Sequence, residues 1–212
     1  MKVSGNVADL TQLVLEPICS YWNVSFLFER DNEMLPVEVL ISEHKIILKM
    51  IEVLRKQQNK IAESGKVEPA FVSVVVDFFR TYADRFHHGK EEGTLFNALS
   101  RRGLSDSEAQ IMRDLMLEHA QSRRTVTNLE GLNVRYINGE KQLVKDIASG
   151  FSFLVDLYPA HIEKEDKHFF FPSMKYFSTQ EQEEMLHAFE EFNRGFTDRR
   201  YEQIVEAFEK AT

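Results

Sequence analysis

Apolar residues recur along most of this chain three and four positions apart, which is the spacing of one face of an α-helix. The first such stripe predicts a helix over residues 36–58, closed by a polar loop that contains Gly65. The second predicts a longer helix over residues 69–100, which stops at Gly103. Because few glycines and prolines interrupt these stretches, the pattern predicts an all-α protein.

Capping residues and turns mark the next two helices. Ser105 and Glu108 form a capping box that begins a third helix, expected to end near Gly131. A fourth helix is predicted over residues 140–171, with a kink at Pro159, because proline removes one helix hydrogen bond. Long helices joined by short loops pack against neighbours that run in the opposite direction.

A second capping box, made by Ser178 and Glu181, begins a fifth helical region that reaches the C-terminus with a break at Gly195. The predicted fold class is therefore an all-α, up-down-up-down four-helix bundle with an additional C-terminal helix.

The first residues do not follow this pattern, because residues 21–28 are aromatic and β-branched. We predict three parts: an N-terminal appendage of undetermined structure over residues 1–33, a four-helix bundle over 34–175, and a C-terminal helical extension over 176–212. An alternative is that the natural domain begins near residue 34 and that the preceding residues are ancillary.

The composition narrows the possible partners and compartments. With 26 basic and 34 acidic side chains, the net charge is −8, so a surface that follows nucleic-acid phosphates is not expected. No apolar run reaches the roughly 20 residues that cross a bilayer, so no membrane span is expected either. The single cysteine, Cys19, excludes an intramolecular disulfide and cysteine-rich metal sites, and the cytoplasm is the expected location.

Histidine and glutamate occur four residues apart more often than chance predicts. On a helix, residues at this spacing lie one above the other, so an inward-facing pair can bind one metal ion together. The four pairs are His87/Glu91, His88/Glu92, His161/Glu165 and His187/Glu191. The last pair lies in the charged fifth helix, where we expect it to be solvated.

Four histidines fall at similar depths when neighbouring helices run antiparallel, namely His44, His87, His119 and His161. One imidazole from each helix can then meet in a single layer. Imidazoles and carboxylates in a dry bundle are costly without a partner, and a metal supplies one. Nitrogen and oxygen donors without thiolate suit iron, manganese or zinc, and carboxylates that can bridge favour a two-metal centre. For a single histidine, a hydrogen-bonded core residue is the simpler interpretation.

The adjacent histidines at positions 87 and 88 require a choice of helix face. In a regular α-helix His87 shares its face with apolar residues, whereas His88 shares its face with polar ones. We therefore favour His87 and Glu91 as ligands. His88 and Glu92 are expected to be solvated, or to lie just outside the ligands, and to be dispensable for metal binding.

The segment 87–96, the Glu43-His44 and Glu118-His119 pairs, and the segment 161–172 occur in a characteristic set. This set resembles the hemerythrin-like, or HHE cation-binding, family, and the resemblance covers residues 35–172. It implies a four-helix bundle that holds a non-haem di-iron site. The ligands that it implies are His44, His87, Glu91, His119, His161 and Glu165, with the two glutamates bridging.

One position differs from the oxygen-carrying members of that family, which have a second histidine one turn after the one in their third metal-binding helix. Here that position holds Arg123. One metal would then lack an imidazole and keep a position for water, a carboxylate or a diatomic ligand, unless Glu43, Glu118 or His168 fills it.

The resemblance implies a protein that senses, stores or carries oxygen, nitric oxide or iron, with two iron atoms per chain and manganese or zinc as other possible metals. A small diatomic molecule or peroxide is the expected ligand, and no protein partner is identified. Two other classes stay open. One is a di-iron enzyme, either peroxidase-like or repairing iron–sulfur centres, and the other is a helical interaction domain with little metal.

Overall fold

The computed structural model describes residues 34–194 and 198–211. The predicted N-terminal appendage, which contains Cys19, and the predicted break at Gly195 lie outside the described residues. In the described part every regular element is a helix and no strand occurs, which confirms the all-α class. No helix there has both the length and the apolar character that crossing a membrane requires.

Helix α1 is Pro36–Ser64, and it ends at Gly65, whose φ of 64° is the left-handed conformation that glycine adopts without strain. Helix α2 covers residues 69–99 as one continuous helical segment. It consists of Pro69–Asp77, two π-helical stretches, Phe78–His88 and Glu91–Phe96, and a last turn, Asn97–Leu99.

Helix α3 is Asp106–Ile137, and its predicted capping box is present: the Glu108 backbone N–H donates to the Ser105 hydroxyl (3.4 Å). The predicted end near Gly131 is wrong, because the helix continues past it. A glycine inside a helix costs about 1 kcal/mol relative to alanine, and burial of Tyr136 in the following turns opposes that cost.

Helix α4 covers residues 144–173 and follows a short 3-10 turn, Lys141–Leu143. It consists of Val144–Lys164, a π-helical stretch, Glu165–Phe169, and a last turn, Phe170–Ser173. The helix continues through Pro159. The fourth predicted helix is therefore present, and its hydrogen bonding changes to the π type over Glu165–Phe169.

Two more helices follow, α5 (Thr179–Arg194) and α6 (Asp198–Ala211). The predicted capping box of Ser178 and Glu181 is present before α5, with the Glu181 backbone N–H donating to the Ser178 hydroxyl (3.3 Å). Buried side chains of both helices pack against the bundle. The predicted division between a bundle over 34–175 and an extension from residue 176 stays a prediction.

Contacts between the four long helices show that neighbours run antiparallel. Between α1 and α4, the His44 ring lies beside Asp166, while Gln58, further along α1, donates to Ser152, which is earlier in α4. The same reversal relates α2 to α3 and α3 to α4. The up-down-up-down bundle predicted from the loop lengths is confirmed.

Two clusters of buried apolar side chains fill the bundle. The large apolar cluster includes Leu54, Phe71, Phe78, Leu129, Phe151 and Val205. The small apolar cluster includes Val37, Leu40, Leu99, Leu115, Phe170 and Phe189. Each of the four bundle helices contributes to both clusters, and a layer of buried polar side chains separates the two contributions.

Candidate metal centre

The polar layer is built from one histidine of each bundle helix and two glutamates. On α1, His44 lies between Leu40 of the small apolar cluster and Ile47 of the large one, so both sides of the layer are closed by apolar residues. The structure brings together all six side chains that were predicted as ligands, each at most 3% exposed: His44, His87, Glu91, His119, His161 and Glu165.

Each of these four imidazoles donates its Nδ1–H to a carboxylate on the neighbouring helix. The bonds are His44 to Asp166 (2.8 Å), His87 to Glu43 (2.9 Å), His119 to Glu92 (2.7 Å) and His161 to Glu118 (2.8 Å). They run in one direction around the bundle, from α1 to α4, α4 to α3, α3 to α2 and α2 to α1. Such bonds fix the ring orientation and direct each Nε2 into the layer, where it can bind a metal ion. Without metal, Nε2 of His119 and Nε2 of His161 are hydrogen-bonded to each other (3.1 Å).

Three of these four carboxylates also pair with a cationic side chain. Lys90 pairs with Glu43, Arg123 with Glu92 (2.7 Å) and Lys164 with Glu118 (2.5 Å). A carboxylate that is held ionised in this way is the stronger acceptor for an imidazole N–H. Arg123, at the position where a second histidine was absent, therefore supports a predicted ligand through Glu92.

The two carboxylates at the centre of the layer each face histidines on both sides. Glu91 directs one oxygen toward His87 Nε2 (3.3 Å) and the other toward His119 Nε2 (3.5 Å). Glu165 directs one oxygen toward His44 Nε2 (3.2 Å) and the other toward His161 Nε2 (3.3 Å). Each carboxylate therefore has one oxygen for each half of the layer, which is the arrangement that a bridging ligand needs.

These central atoms lack ordinary hydrogen-bond partners. Among the described residues, both oxygens of Glu91 and of Glu165 are buried without a hydrogen bond, as are Nε2 of His44 and of His87. The contacts of 3.2–3.5 Å around them do not have the directions that hydrogen bonds require. Buried polar atoms of this kind call for an ion, and the donor set of imidazole and carboxylate fits iron or manganese.

The electrostatics of the layer couple the imidazoles to the central carboxylates. Burial lowers the pKa of His87, but the charge of Glu91 and the hydrogen bond to Glu43 outweigh it and raise that pKa to about 10. For His161, the charge of Glu165 and the bond to Glu118 outweigh burial in the same way, and its pKa is also raised to about 10. The metal-free layer therefore holds protons that a metal ion would displace.

His88 differs from the expectation drawn from the sequence. It was expected to be solvated or just outside the ligands, but its side chain is buried, only 1% exposed, and its ring stacks on that of His119 with the centroids 3.7 Å apart. Burial, followed by the charges of His119 and His87, lowers its pKa well below the ordinary value, so the ring is neutral. Glu92 is half-buried and lies outside the layer, as expected.

The local helix geometry explains why the face of His88 was assigned wrongly. The expectation assumed regular α-helical spacing, but α2 is π-helical over Phe78–His88. A π-helix closes each hydrogen bond over five residues instead of four, so the residues that follow are rotated relative to an α-helix. His87 and His88 can then both be buried inside the bundle.

The ligand atoms form two groups, within each of which they all lie within 4.8 Å of one another. One group consists of His88, His119 and His161, and the other of His44, His87, Glu91 and Glu165. Because the oxygens of Glu91 and Glu165 also face the first group, the layer has the donors for two metal ions that share two carboxylates.

The remaining candidates lie outside the layer. His168 is exposed, and His187 is exposed beside Glu190 (3.5 Å), so neither belongs to the site. From the sequence, Glu92 was placed just outside the ligands and Glu43 and Glu118 were candidate ligands, but none was predicted to orient an imidazole, and Asp166 and Lys90 were not identified at all. These partners lie on different helices, so no spacing within one helix could have identified them.

Of three comparisons with known proteins, the one with family models agrees with this geometry. The other two found no match among curated proteins or solved structures. Residues 35–172 match the family model of the hemerythrin HHE cation binding domain. That range is well over half of the chain, and it contains the whole polar layer and all of the four bundle helices except the last residue of α4. The chain therefore belongs to the hemerythrin HHE cation-binding domain family.

Proposed function

We propose that this protein is a non-haem di-iron binding protein of the hemerythrin type, which senses, stores or carries oxygen, nitric oxide or iron. The observation that supports the proposal best is the polar layer itself. Two carboxylates and several imidazoles are buried between apolar clusters. Among the described residues, the oxygens of Glu91 and Glu165 and the inward nitrogens of His44 and His87 lack hydrogen-bond partners. Without an ion, burying such groups is unfavourable.

Each residue of the layer has a distinct part in this proposal. His119 and His161 would hold one metal ion, and His44 and His87 the other. Glu91 and Glu165 would bridge the two ions, since each carboxylate faces both groups. When bound, two such ions supply coordination positions for a small diatomic molecule or peroxide.

The rest of the chain prepares the site in two ways. The Nδ1–H bonds to Glu43, Glu92, Glu118 and Asp166 hold the imidazoles in the orientation that directs Nε2 into the layer. The apolar clusters on both sides keep bulk water away from the layer. A site that is dry and held in place in advance favours reversible binding of a small molecule without the loss of the metal.

Metal analysis tests the proposal directly. Chain expressed in iron-replete medium and purified without oxygen is expected to contain about two iron atoms per chain, measured by plasma mass spectrometry, because the layer has donors for two ions. A content of about two manganese or zinc atoms would support the two-metal site but contradict iron as its metal. A reproducible content near zero would contradict the proposal and favour a helical interaction domain.

A second measurement separates a binding protein from an enzyme. The loaded protein is expected to bind azide or nitric oxide with a change in its visible spectrum. Sustained consumption of peroxide, or restored activity of a damaged iron–sulfur enzyme, would instead identify the enzymatic alternative. A cytoplasmic location, expected from the cysteine content, stays a prediction.

A further inference from the structure

The third helix supplies one imidazole to the layer, because the position one turn after His119 holds Arg123. Arg123 does not enter the layer. Its guanidinium pairs with Asp84 (2.6 Å) and Glu92 (2.7 Å), and its side chain is 38% exposed. A ligand in the place that a second α3 histidine would take must therefore come from another residue.

The other residues considered for that place are accounted for elsewhere. Glu43 accepts the Nδ1–H of His87, and Glu118 accepts that of His161. His168 is exposed. Among the described residues, His88 remains as the histidine that is buried beside the layer and was not assigned a part in it.

We propose that His88 of α2 is the additional imidazole ligand, and that it binds the same metal ion as His119 and His161. This inference rests on the proposed function, since it adds one ligand to the same centre. It replaces the expectation that His88 is dispensable for metal binding.

Two observations about the His88 ring support a ligand role: its distance from the other imidazoles and its lack of hydrogen bonds. A ligand nitrogen of His88 lies within 4.8 Å of the ligand nitrogens of His119 and His161. Neither ring nitrogen has a hydrogen-bond partner among the described residues, and the nearest carboxylate, Asp84, lies 3.5 Å from Nδ1 and is bonded by Arg123. A buried imidazole that was only structural would be expected to have at least one hydrogen bond.

The π-helical stretch of α2 supplies the geometric reason. Such stretches are rare and occur often at functional sites. Here one ends at His88, and it buries two consecutive histidines on the inside of the bundle. Helix α2 thus provides two imidazoles and α3 provides one, together with an arginine that holds Glu92 and Asp84.

The two metal ions would differ in their number of imidazole ligands, and this difference affects where an external ligand binds. The ion at His88, His119 and His161 would have three imidazoles, whereas the ion at His44 and His87 would have two. With Glu91 and Glu165 shared, the second ion has more room in its coordination sphere. An external ligand such as azide is therefore expected to bind on the side of His44 and His87.

Removal of the His88 imidazole tests the proposal. His88→Leu keeps most of the volume and has no donor atom, and His187→Leu removes an exposed histidine as the matched control. Both full-length variants and the wild type are titrated with Fe(II) without oxygen. We expect two iron atoms in the wild type and the control, and in His88→Leu a loss of more than about tenfold in affinity for one iron only.

A rescue experiment separates a ligand from a merely structural residue. His88→Ala leaves a space that free imidazole can enter, so added imidazole is expected to restore the second iron atom. Two tightly bound iron atoms in His88→Leu, with an unchanged Mössbauer spectrum, would overturn the inference and leave the proposed function intact. Iron near zero in the wild type would overturn both.

A measurement on the wild-type chain does not depend on whether the variants fold. With ¹⁵N-labelled histidine and bound Zn(II), long-range proton–nitrogen NMR spectra distinguish metal-bound rings from free ones. Five metal-bound rings are expected, and His168 and His187 serve as free references. A count of four would contradict the assignment of His88.

Discussion

The large apolar cluster and the polar layer are neighbours on the same four helices, but they are stabilised in different ways. Phe78 and Phe151 of the cluster are fully buried, and Phe78 packs edge-on against Phe79 with the ring centroids 5.3 Å apart. Glu91 and Glu165 of the layer are as deeply buried, yet their oxygens have no hydrogen-bond partner in the part of the chain that the structure describes. Apolar burial stabilises the fold without help, whereas the layer needs a bound ion to offset its desolvation.

This difference explains how one bundle can fold and also hold a reactive site. The cluster supplies stability whether or not metal is present, and the layer uses part of that stability to keep polar groups in place. Changes to the cluster should therefore alter unfolding of the metal-free chain without altering metal affinity, whereas changes to the layer should alter metal affinity most.

The largest effect on stability is expected in the large apolar cluster. Phe151→Ala should lower the free energy of unfolding by about 3–5 kcal/mol, because it removes a fully buried ring and leaves a cavity. Phe153→Ala, on the same helix but 37% exposed, is the control and should change it by less than about 0.5 kcal/mol. Urea unfolding with and without metal measures both, and a loss of iron in folded Phe151→Ala would contradict the separation of the two regions.

The largest effect on metal binding is expected at a central carboxylate. Glu91→Gln keeps the size of the side chain but removes the charge that faces both groups, so the affinity for both ions should fall by more than about 100-fold, beyond the effect of an orienting partner. Glu202→Gln, which changes an exposed residue of α6, is the control. Anaerobic Fe(II) titration gives the affinities, and retention of both irons would show that Glu91 does not bridge.

An orienting carboxylate should have a smaller effect. Glu43→Gln replaces the charged acceptor of the His87 Nδ1–H by a neutral one, and the affinity for metal should fall by about 10–100-fold. Glu130→Gln is a matched control, because Glu130 also pairs with a cation, Arg80, but lies on the surface far from the layer. Equal affinities in the two variants would mean that the Nδ1–H bonds do not support the ligands.

The smallest expected effect, near neutral pH, is a change in the melting temperature of the metal-free protein as the pH rises. The pKa values of His87 and His161 are raised to about 10 in the folded chain, from about 6.5 when unfolded. Protonation therefore stabilises the fold fully below pH 6.5, and this contribution is lost as the pH rises toward 10. The melting temperature of chelator-treated protein should fall over that window.

The metal-loaded protein is the comparison for this pH series. Its imidazoles have already lost the protons that metal displaces, so its melting temperature should fall less over the same range. Parallel curves for the two forms, recorded by scanning calorimetry, would contradict the coupling between the imidazoles and the central carboxylates.

Much of the fold followed from local sequence features. The capping boxes at Ser105 and Ser178 and the loop at Gly65 mark helix boundaries because they act within a few residues. The predicted end of the third helix at Gly131 was wrong, because burial beyond it depends on neighbouring helices. This boundary failed because it depended on contacts with residues that are distant in the sequence.

The site divides in the same way. The spacing of His87 and Glu91, and of His161 and Glu165, together with the depths of His44 and His119, identified the six side chains that meet in the layer. The orienting role of Glu43, Glu92, Glu118 and Asp166 could not be predicted, because each of these hydrogen bonds joins two different helices.

What the sequence determined by itself was the set of helices, their apolar faces and the types of donor atom, since helix periodicity is a local property of the chain. Only the tertiary structure decided that His88 is buried beside His87, because the rotation of α2 depends on its π-type hydrogen bonds. The tertiary structure also decided that the guanidinium of Arg123 donates hydrogen bonds to Asp84 and Glu92. Those choices depend on the packing of side chains from neighbouring helices, and no periodic pattern in a single helix contains that information.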